Sequence, residues 1–175
     1  MDSDRQACQP AVVFLNGEYW GIHNIREKQS EHYIGLHHGV DKDSIDMLEN
    51  NRMVIHGDSE DYDQLMNYVS TQDMSADAAY EYIDSHIDLG NYFDYMVIQI
   101  YSANTDWPGN NVKYWRPRKP YGKWRWMLFD MDFGFGLYDE MAYQHNTLEF
   151  ALEEAGPEWP NPPWSTLLFR KLMQN

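Results

Sequence analysis

Two short stretches of this chain carry side chains whose types and spacing suit chemistry on a phosphate. The first is Asp106-Trp107-Pro108-Gly109-Asn110-Asn111, an acid followed five residues on by an amide. The second is Phe129-Asp130-Met131-Asp132-Phe133-Gly134-Phe135-Gly136, a pair of acids that includes an Asp-Phe-Gly triplet. Phosphoryl transfer asks a protein for placement of the nucleophile and for cations against phosphate charge, and for little covalent help. One carboxylate can orient a hydroxyl, while an amide and further carboxylates hold the magnesium that accompanies ATP. Magnesium takes hard oxygen ligands, usually one or two carboxylates with phosphate and water. The pattern makes Asp106 the candidate catalytic residue and Asn111, Asp130 and Asp132 the candidate metal ligands. Each part also has a plainer reading. The Asp106 stretch is a good turn, in which Asp and Asn bond their own backbone, and Asp-x-Asp pairs also occur as calcium ligands or on solvated edges. The combination is a narrower pattern than either part.

These residues need elements to hold them. Leu89, Tyr92, Phe93, Met96, Val97, Ile100 and Tyr101 fall at helical spacing, so a helix over 89–102 delivers the Asp106 loop. Segments 112–116 and 123–129 read as two strands joined by a Pro/Gly turn, with Trp124, Trp126 and Leu128 alternating against Arg125 and Met127. That hairpin returns the chain, so Asp106 and Asp130 can meet in space. Upstream, Asn16-Gly17 between apolar runs predicts a β-hairpin over 11–25. A helix over 28–36 closing near Gly39, brief strands at 45–48 and 53–55, a helix begun by Gly57-Asp58-Ser59 and running to Val69, and a helix capped by Ser75 and running to His86 follow. A helix over 147–154, a Pro-rich loop and a last helix over 164–174 complete the chain. The expected fold class is α+β: an N-terminal β-hairpin, then a mostly helical lobe with a β-hairpin bearing the acidic site.

With 175 residues, 43% hydrophobic and 15% aromatic, the chain can build one domain with a core. Acids outnumber bases 28 to 13, for a net charge of −15. That field excludes general nucleic-acid binding and repels a nucleotide unless metal or a local basic patch intervenes. Such a patch is offered by Lys113, Arg116, Arg118, Lys119, Lys123 and Arg125. It could neutralise phosphates, with Lys113 a candidate nucleotide-binding residue, receive an acidic substrate, or form a solvated sheet face. The single cysteine, Cys8, forms neither an internal disulfide nor a cysteine-based zinc site. No apolar run reaches membrane-span length and no signal peptide opens the chain. The expectation is a piece of a longer protein: residues 1–10 a leader, 11–27 the hairpin of a small lobe, and 28–175 a larger lobe.

Several of these stretches resemble the CotH (spore coat protein H) kinase family. They are Leu15-Asn16-Gly17-Glu18-Tyr19-Trp20-Gly21-Ile22 followed by Arg26-Glu27-Lys28, the Asp88-x-x-Asn91 helix start ahead of Asn104-x-Asp106-Trp107-Pro108, and Trp124 to Asp132 closing on Phe135-Gly136. The resemblance spans nearly the whole chain. It implies an atypical protein-kinase-like fold that transfers phosphate from ATP, with Mg²⁺, to Ser or Thr of a secreted, surface or spore-coat protein. It implies a catalytic role for Asp106 and a metal role for the Asp130–Asp132 pair, with Asp130 as the main ligand. Glu27 would brace a phosphate-binding lysine or touch metal; otherwise it forms a surface ion pair. The chain has Asn104-Thr105 where ordinary kinases have His-Arg, and it shows no glycine-rich phosphate loop. Two rivals stand beside the kinase reading: a non-catalytic surface or glycan-binding module whose acids hold calcium, and a kinase-like scaffold that assembles coat proteins without turnover.

Overall fold

The computed structural model describes residues 3–120, 122–154 and 160–175. A two-residue strand, β1 (Asp4–Arg5), comes first, within the stretch expected to be a leader. Strands β2 (Cys8–Leu15) and β3 (Glu18–Arg26) then form the expected hairpin. Asn16 and Gly17 both take positive φ, 52° and 83°, which two-residue turns joining right-twisted strands require. The hairpin is its own two-stranded sheet, and Val12, Phe14, Tyr19 and Ile22 along it are exposed.

Helix α1 (Glu31–His38) starts three residues later than its pattern suggested and ends at Gly39 in the left-handed conformation that favours glycine. Strands β4 (Ile45–Glu49) and β5 (Met53–His56) follow, then helices α2 (Glu60–Thr71), α3 (Asp77–His86) and α4 (Leu89–Ser102). Ser75 is not the cap of α3. Its hydroxyl and amide both bond the carboxylate of Asp73, and Ala76 occupies the cap position. Strands β6 (Lys113–Pro117) and β7 (Arg125–Leu128), a 3₁₀ turn (Ala142–Gln144), and helices α5 (Thr147–Leu152) and α6 (Leu167–Leu172) complete the described elements. The last two helices are shorter than expected, and part of the Pro-rich loop between them (155–159) lies outside the described residues.

The β6–β7 hairpin does not stand alone. It is the centre of a five-stranded sheet in the order β1-β7-β6-β4-β5, antiparallel except where β1 adds in parallel to β7. Both faces of this sheet are covered, and the period-two alternation of strands sorts the side chains between them. Tyr114, Trp126 and Leu48 join Leu65, Tyr92 and Met96 from α2 and α4 in the larger core. Trp115, Met127, Ile45 and Met47 join Tyr33 and Ile34 of α1 in a smaller one. The observed class is α+β, as the sequence indicated. Among the described residues no helix is long and apolar enough to cross a membrane.

Five of the six basic residues of the hairpin stand beside carboxylates, and Lys119 is exposed. Arg116 meets Asp46 and Asp61, Arg118 meets Asp46 and Asp58, and Arg125 meets Asp88 and lies 3.7 Å from Asp4. Lys113 lies 3.8 Å from Glu49 and Lys123 lies 3.5 Å from Asp84. Asp46 and Asp4 are buried, at 1% and 6% exposure, so Arg116, Arg118 and Arg125 neutralise acids that the fold has taken out of water, while Lys123 pairs at the surface.

Candidate active site

Helix α4 and strand β7 carry the two acidic loops, and one amide locks them together. Asn91 of α4 is fully buried; its Nδ2 donates to Trp126 O at 3.1 Å and its Oδ1 accepts from Trp126 N–H at 2.6 Å. The side chain thereby takes the place of a neighbouring strand for β7. Asp88 caps α4 by accepting from Asn91 N–H and also pairs with Arg125 of β7. With the two elements fixed side by side, the loops that follow them meet. Thr105 N–H and Oγ1 both donate to Phe133 O at 3.3 Å, and Phe135 N–H donates to Ser102 O at 2.6 Å. Gly134 permits this approach: a Cβ there would stand 3.3 Å from both Ser102 Cβ and Ser102 O. The glycine of the Asp-Phe-Gly triplet thus serves close packing against the end of α4.

The Asp106 loop is held from beneath by buried amides. Gln99 Oε1 accepts from Asn104 Nδ2 at 2.9 Å, and Asn104 Oδ1 accepts from Asp106 N–H at 3.2 Å. Asp106 Oδ2 accepts from Asn111 Nδ2 at 2.7 Å and from Asn110 Nδ2 at 3.0 Å. Oδ1 of Asp106 accepts no hydrogen bond from the described residues, and neither does Oδ1 of Asn111. Asn111 therefore spends its NH₂ on orienting the acid and keeps its carbonyl oxygen available. On the other side, Asn50, in the turn between β4 and β5, accepts from Val112 N–H at 3.2 Å.

Asp130 follows β7. Its φ is 53° and that of Asn111 is 56°. Both lie in the left-handed region that Asn and Asp visit more readily than other L-residues, and such backbone clusters at functional sites. The Asp130 side chain reaches solvent, yet its carboxyl is held above the ordinary aspartate range. Partial burial contributes most, then the charge of Asp132 and a hydrogen bond shared with Asp132, then the charge of Asp106; Arg26 pulls the other way. Asp130 therefore feels both other acids singled out in the sequence. Among the described residues no three His, Cys, Asp or Glu side chains stand close enough to hold a metal by themselves. Magnesium's demand is smaller, one or two carboxylates completed by phosphate and water.

Two other candidates have partners of their own. Glu27 accepts from Ala7 N–H at 3.0 Å and bonds His37 Nε2 at 2.9 Å at the foot of the β2–β3 hairpin, and these bonds hold its carboxyl below the ordinary range. It makes no ion pair with Lys28 among the described residues. Lys113 faces Glu49 and lies over the Phe129 ring, 4.7 Å from its centroid. Sequence reasoning gave no role to the buried supports Gln99, Asn104 and Gln29, although Asn104 lay within one of the family motifs. Gln99, set within the apolar run Met96-Val97-Ile98 and Ile100, was the available signal for one of them.

A family model described as CotH kinase protein matches residues 1–175. No curated protein and no solved structure matches the chain.

Proposed function

The chain belongs to the CotH kinase family, and from that premise we propose that it transfers the γ-phosphoryl group of ATP to a serine or threonine hydroxyl of a secreted, surface or coat protein, on an atypical kinase-like scaffold. The observation that carries the reading is that the loops bearing Asp106 and the Asp130–Asp132 pair, far apart in sequence, are joined by the hydrogen bonds of Thr105 to Phe133 and of Phe135 to Ser102. Asp106 presents Oδ1 to the acceptor hydroxyl and takes its proton, while Asn110 and Asn111 fix the other oxygen and with it the direction of the carboxylate. The hydroxyl oxygen then bonds to the γ-phosphorus as the bond to the β–γ bridging oxygen breaks, and ADP leaves. Asp130, Asp132 and the Asn111 carbonyl oxygen would hold Mg²⁺, which supplies positive charge against the phosphate oxygens when bound.

The test is phosphate transfer from Mg-ATP by the full-length protein. Both ADP formation and phosphoserine or phosphothreonine on the protein and on a generic acceptor would be measured, with Asp106→Ala and Asp130→Ala beside the wild type. Loss of transfer in both supports the reading, and wild-type rates in both overturn it. A coat-assembly module without turnover is the second reading, favoured by the exposed apolar side chains of the β2–β3 hairpin. Nucleotide binding with no transfer to any acceptor would select it.

A further inference from the structure

The proposed transfer needs the Asp106 carboxylate held steadily against the loop of Asp130 and Asp132, because a misplacement of about 1 Å can cost about 100-fold in rate. Thr105 and Phe135 join the two loops by hydrogen bonds to backbone oxygens, as described above. Asn110 and Asn111 orient one oxygen of the acid from within its own loop. The backbone of the acid still has to be placed relative to α4, and Asn104 is the side chain that does so. It is 4% exposed and stands just beyond α4, after Ala103, whose left-handed φ of 50° turns the chain out of the helix.

Every polar group of Asn104 is engaged. Gln99 holds it twice: Asn104 N–H donates to Gln99 O at 3.4 Å, and Asn104 Nδ2 donates to Gln99 Oε1 at 2.9 Å. Further along the chain, Asn104 Oδ1 accepts from Asp106 N–H at 3.2 Å and Asn104 O accepts from Trp107 N–H at 3.4 Å. Across the corner, Nδ2 lies 3.7 Å from Sδ of Met131, the residue between Asp130 and Asp132. One residue therefore touches α4, the backbone of the acid and the loop of the acid pair. The bond from Oδ1 to the amide two residues on is an Asx turn, which fixes the backbone at Thr105 and with it the direction in which Asp106 leaves the chain. Gln99 is fully buried. A glutamine taken out of water carries a desolvation cost that a leucine there would not, and its bond to Asn104 offsets that cost.

We propose that Asn104 is a positioning residue for transfer: anchored on Gln99, it sets Asp106 against the loop of Asp130 and Asp132. This rests on the phosphoryl-transfer reading above. It deepens that reading by assigning the placement of the acid to a buried amide two residues away, which acts through Asp106 alone.

The experiment measures single-turnover transfer from Mg-ATP by the full-length protein for wild type, Asn104→Ala and Asn104→Ser, each also combined with Asp106→Ala, and Mg-ATP affinity by calorimetry. Asn104→Ala should lower the transfer rate roughly 10- to 100-fold. Mg-ATP affinity should stay at the wild-type value, because the Thr105–Phe133 and Phe135–Ser102 bonds still join the loops. Asn104→Ser should recover part of the rate, since a serine hydroxyl makes the same turn more weakly; it also carries the test if the alanine variant folds poorly. With Asp106 already replaced, Asn104→Ala should cost nothing further, because an effect exerted through Asp106 ends with it. An unchanged rate in Asn104→Ala, a serine variant no faster than the alanine one, a parallel loss of Mg-ATP affinity, or the same fold-loss with and without Asp106 overturns the positioning role and leaves the transfer reading intact. A wild type that transfers no phosphate overturns both.

Discussion

Replacing Asp130 by asparagine should stabilise the metal-free protein and destabilise it, relative to wild type, once magnesium is present. The amide keeps the shape of the side chain and tolerates the left-handed φ of 53°, so the backbone has no reason to move. What disappears is a charge crowded by Asp132 and Asp106. Because the side chain reaches solvent, water screens that repulsion, and relief of it is worth under about 1 kcal/mol. For a chain of this size 1 kcal/mol moves the melting temperature by about 2–4 °C, so the gain in chelator is at most a few degrees and shrinks with added salt. The pH dependence has a definite sign. Asp130 has a raised folded-state pKa, so the folded chain holds that proton more tightly than the unfolded chain. The cost of ionising it sets in as pH rises from the ordinary value of 3.8 through the raised one. The advantage of Asp130→Asn therefore appears across that window and is complete above it. With magnesium at about 100 times its dissociation constant the wild type gains about 2.7 kcal/mol, or roughly 5–10 °C. The variant has lost a ligand and gains little, so the two melting curves cross. Scanning calorimetry of both proteins in chelator and across a magnesium titration reads all of this. A variant that melts lower in chelator, or one that responds to magnesium as the wild type does, refutes the reasoning.

Further outcomes follow from other parts of the structure. Asp106→Ala removes the acceptor of the hydroxyl proton while leaving the acids of the metal corner in place; transfer rates should fall about 10²- to 10⁴-fold with Mg-ATP affinity retained, checked by single-turnover kinetics beside calorimetry. Asp4→Ala strips the buried partner from Trp115 Nε1 and His38 Nε2, each at 2.8 Å, and should cost about 3–5 kcal/mol in urea unfolding; a midpoint within error of wild type would contradict it. Burial pushes the Asp4 carboxyl up, but the His38 and Trp115 hydrogen bonds and the charges of His38 and Arg125 bring it below the ordinary range. Its contribution is complete above the unfolded value of 3.8 and is lost as pH falls through the lower folded one, so acid unfolding of Asp4→Asn should lack that component. Gly57→Ala should lower stability by about 2 kcal/mol or more, measured the same way, because φ is 75° and a Cβ would collide with Ile45 O and the Asp46–Arg118 pair.

Much of the local structure was legible because its causes are local. Asn16-Gly17 dictates a tight hairpin by backbone preference alone, and the apolar period of 89–102 dictates a helix. Ser75 was misread because two residues upstream Asp73 offers its hydroxyl and amide a nearer acceptor than the helix end does. Strand β1 was invisible because two residues have no periodicity; it exists only because the edge of β7 is there to pair with it.

The sequence by itself determined which side chains are available for chemistry: a carboxylate flanked by amides at 106–111, a carboxylate pair at 130–132, and few bases to set against many acids. Tertiary structure decided which of them meet. The buried Asn91 clamp fixes α4 beside β7 so that the two acidic loops meet, and the arginines of the basic strip pair with carboxylates, buried Asp46 among them. Hydrogen-bond preference and hydrophobic period act over a few residues and leave their mark in order along the chain. Charge acts through space, and its partners are fixed only when burial removes the water that would otherwise screen them.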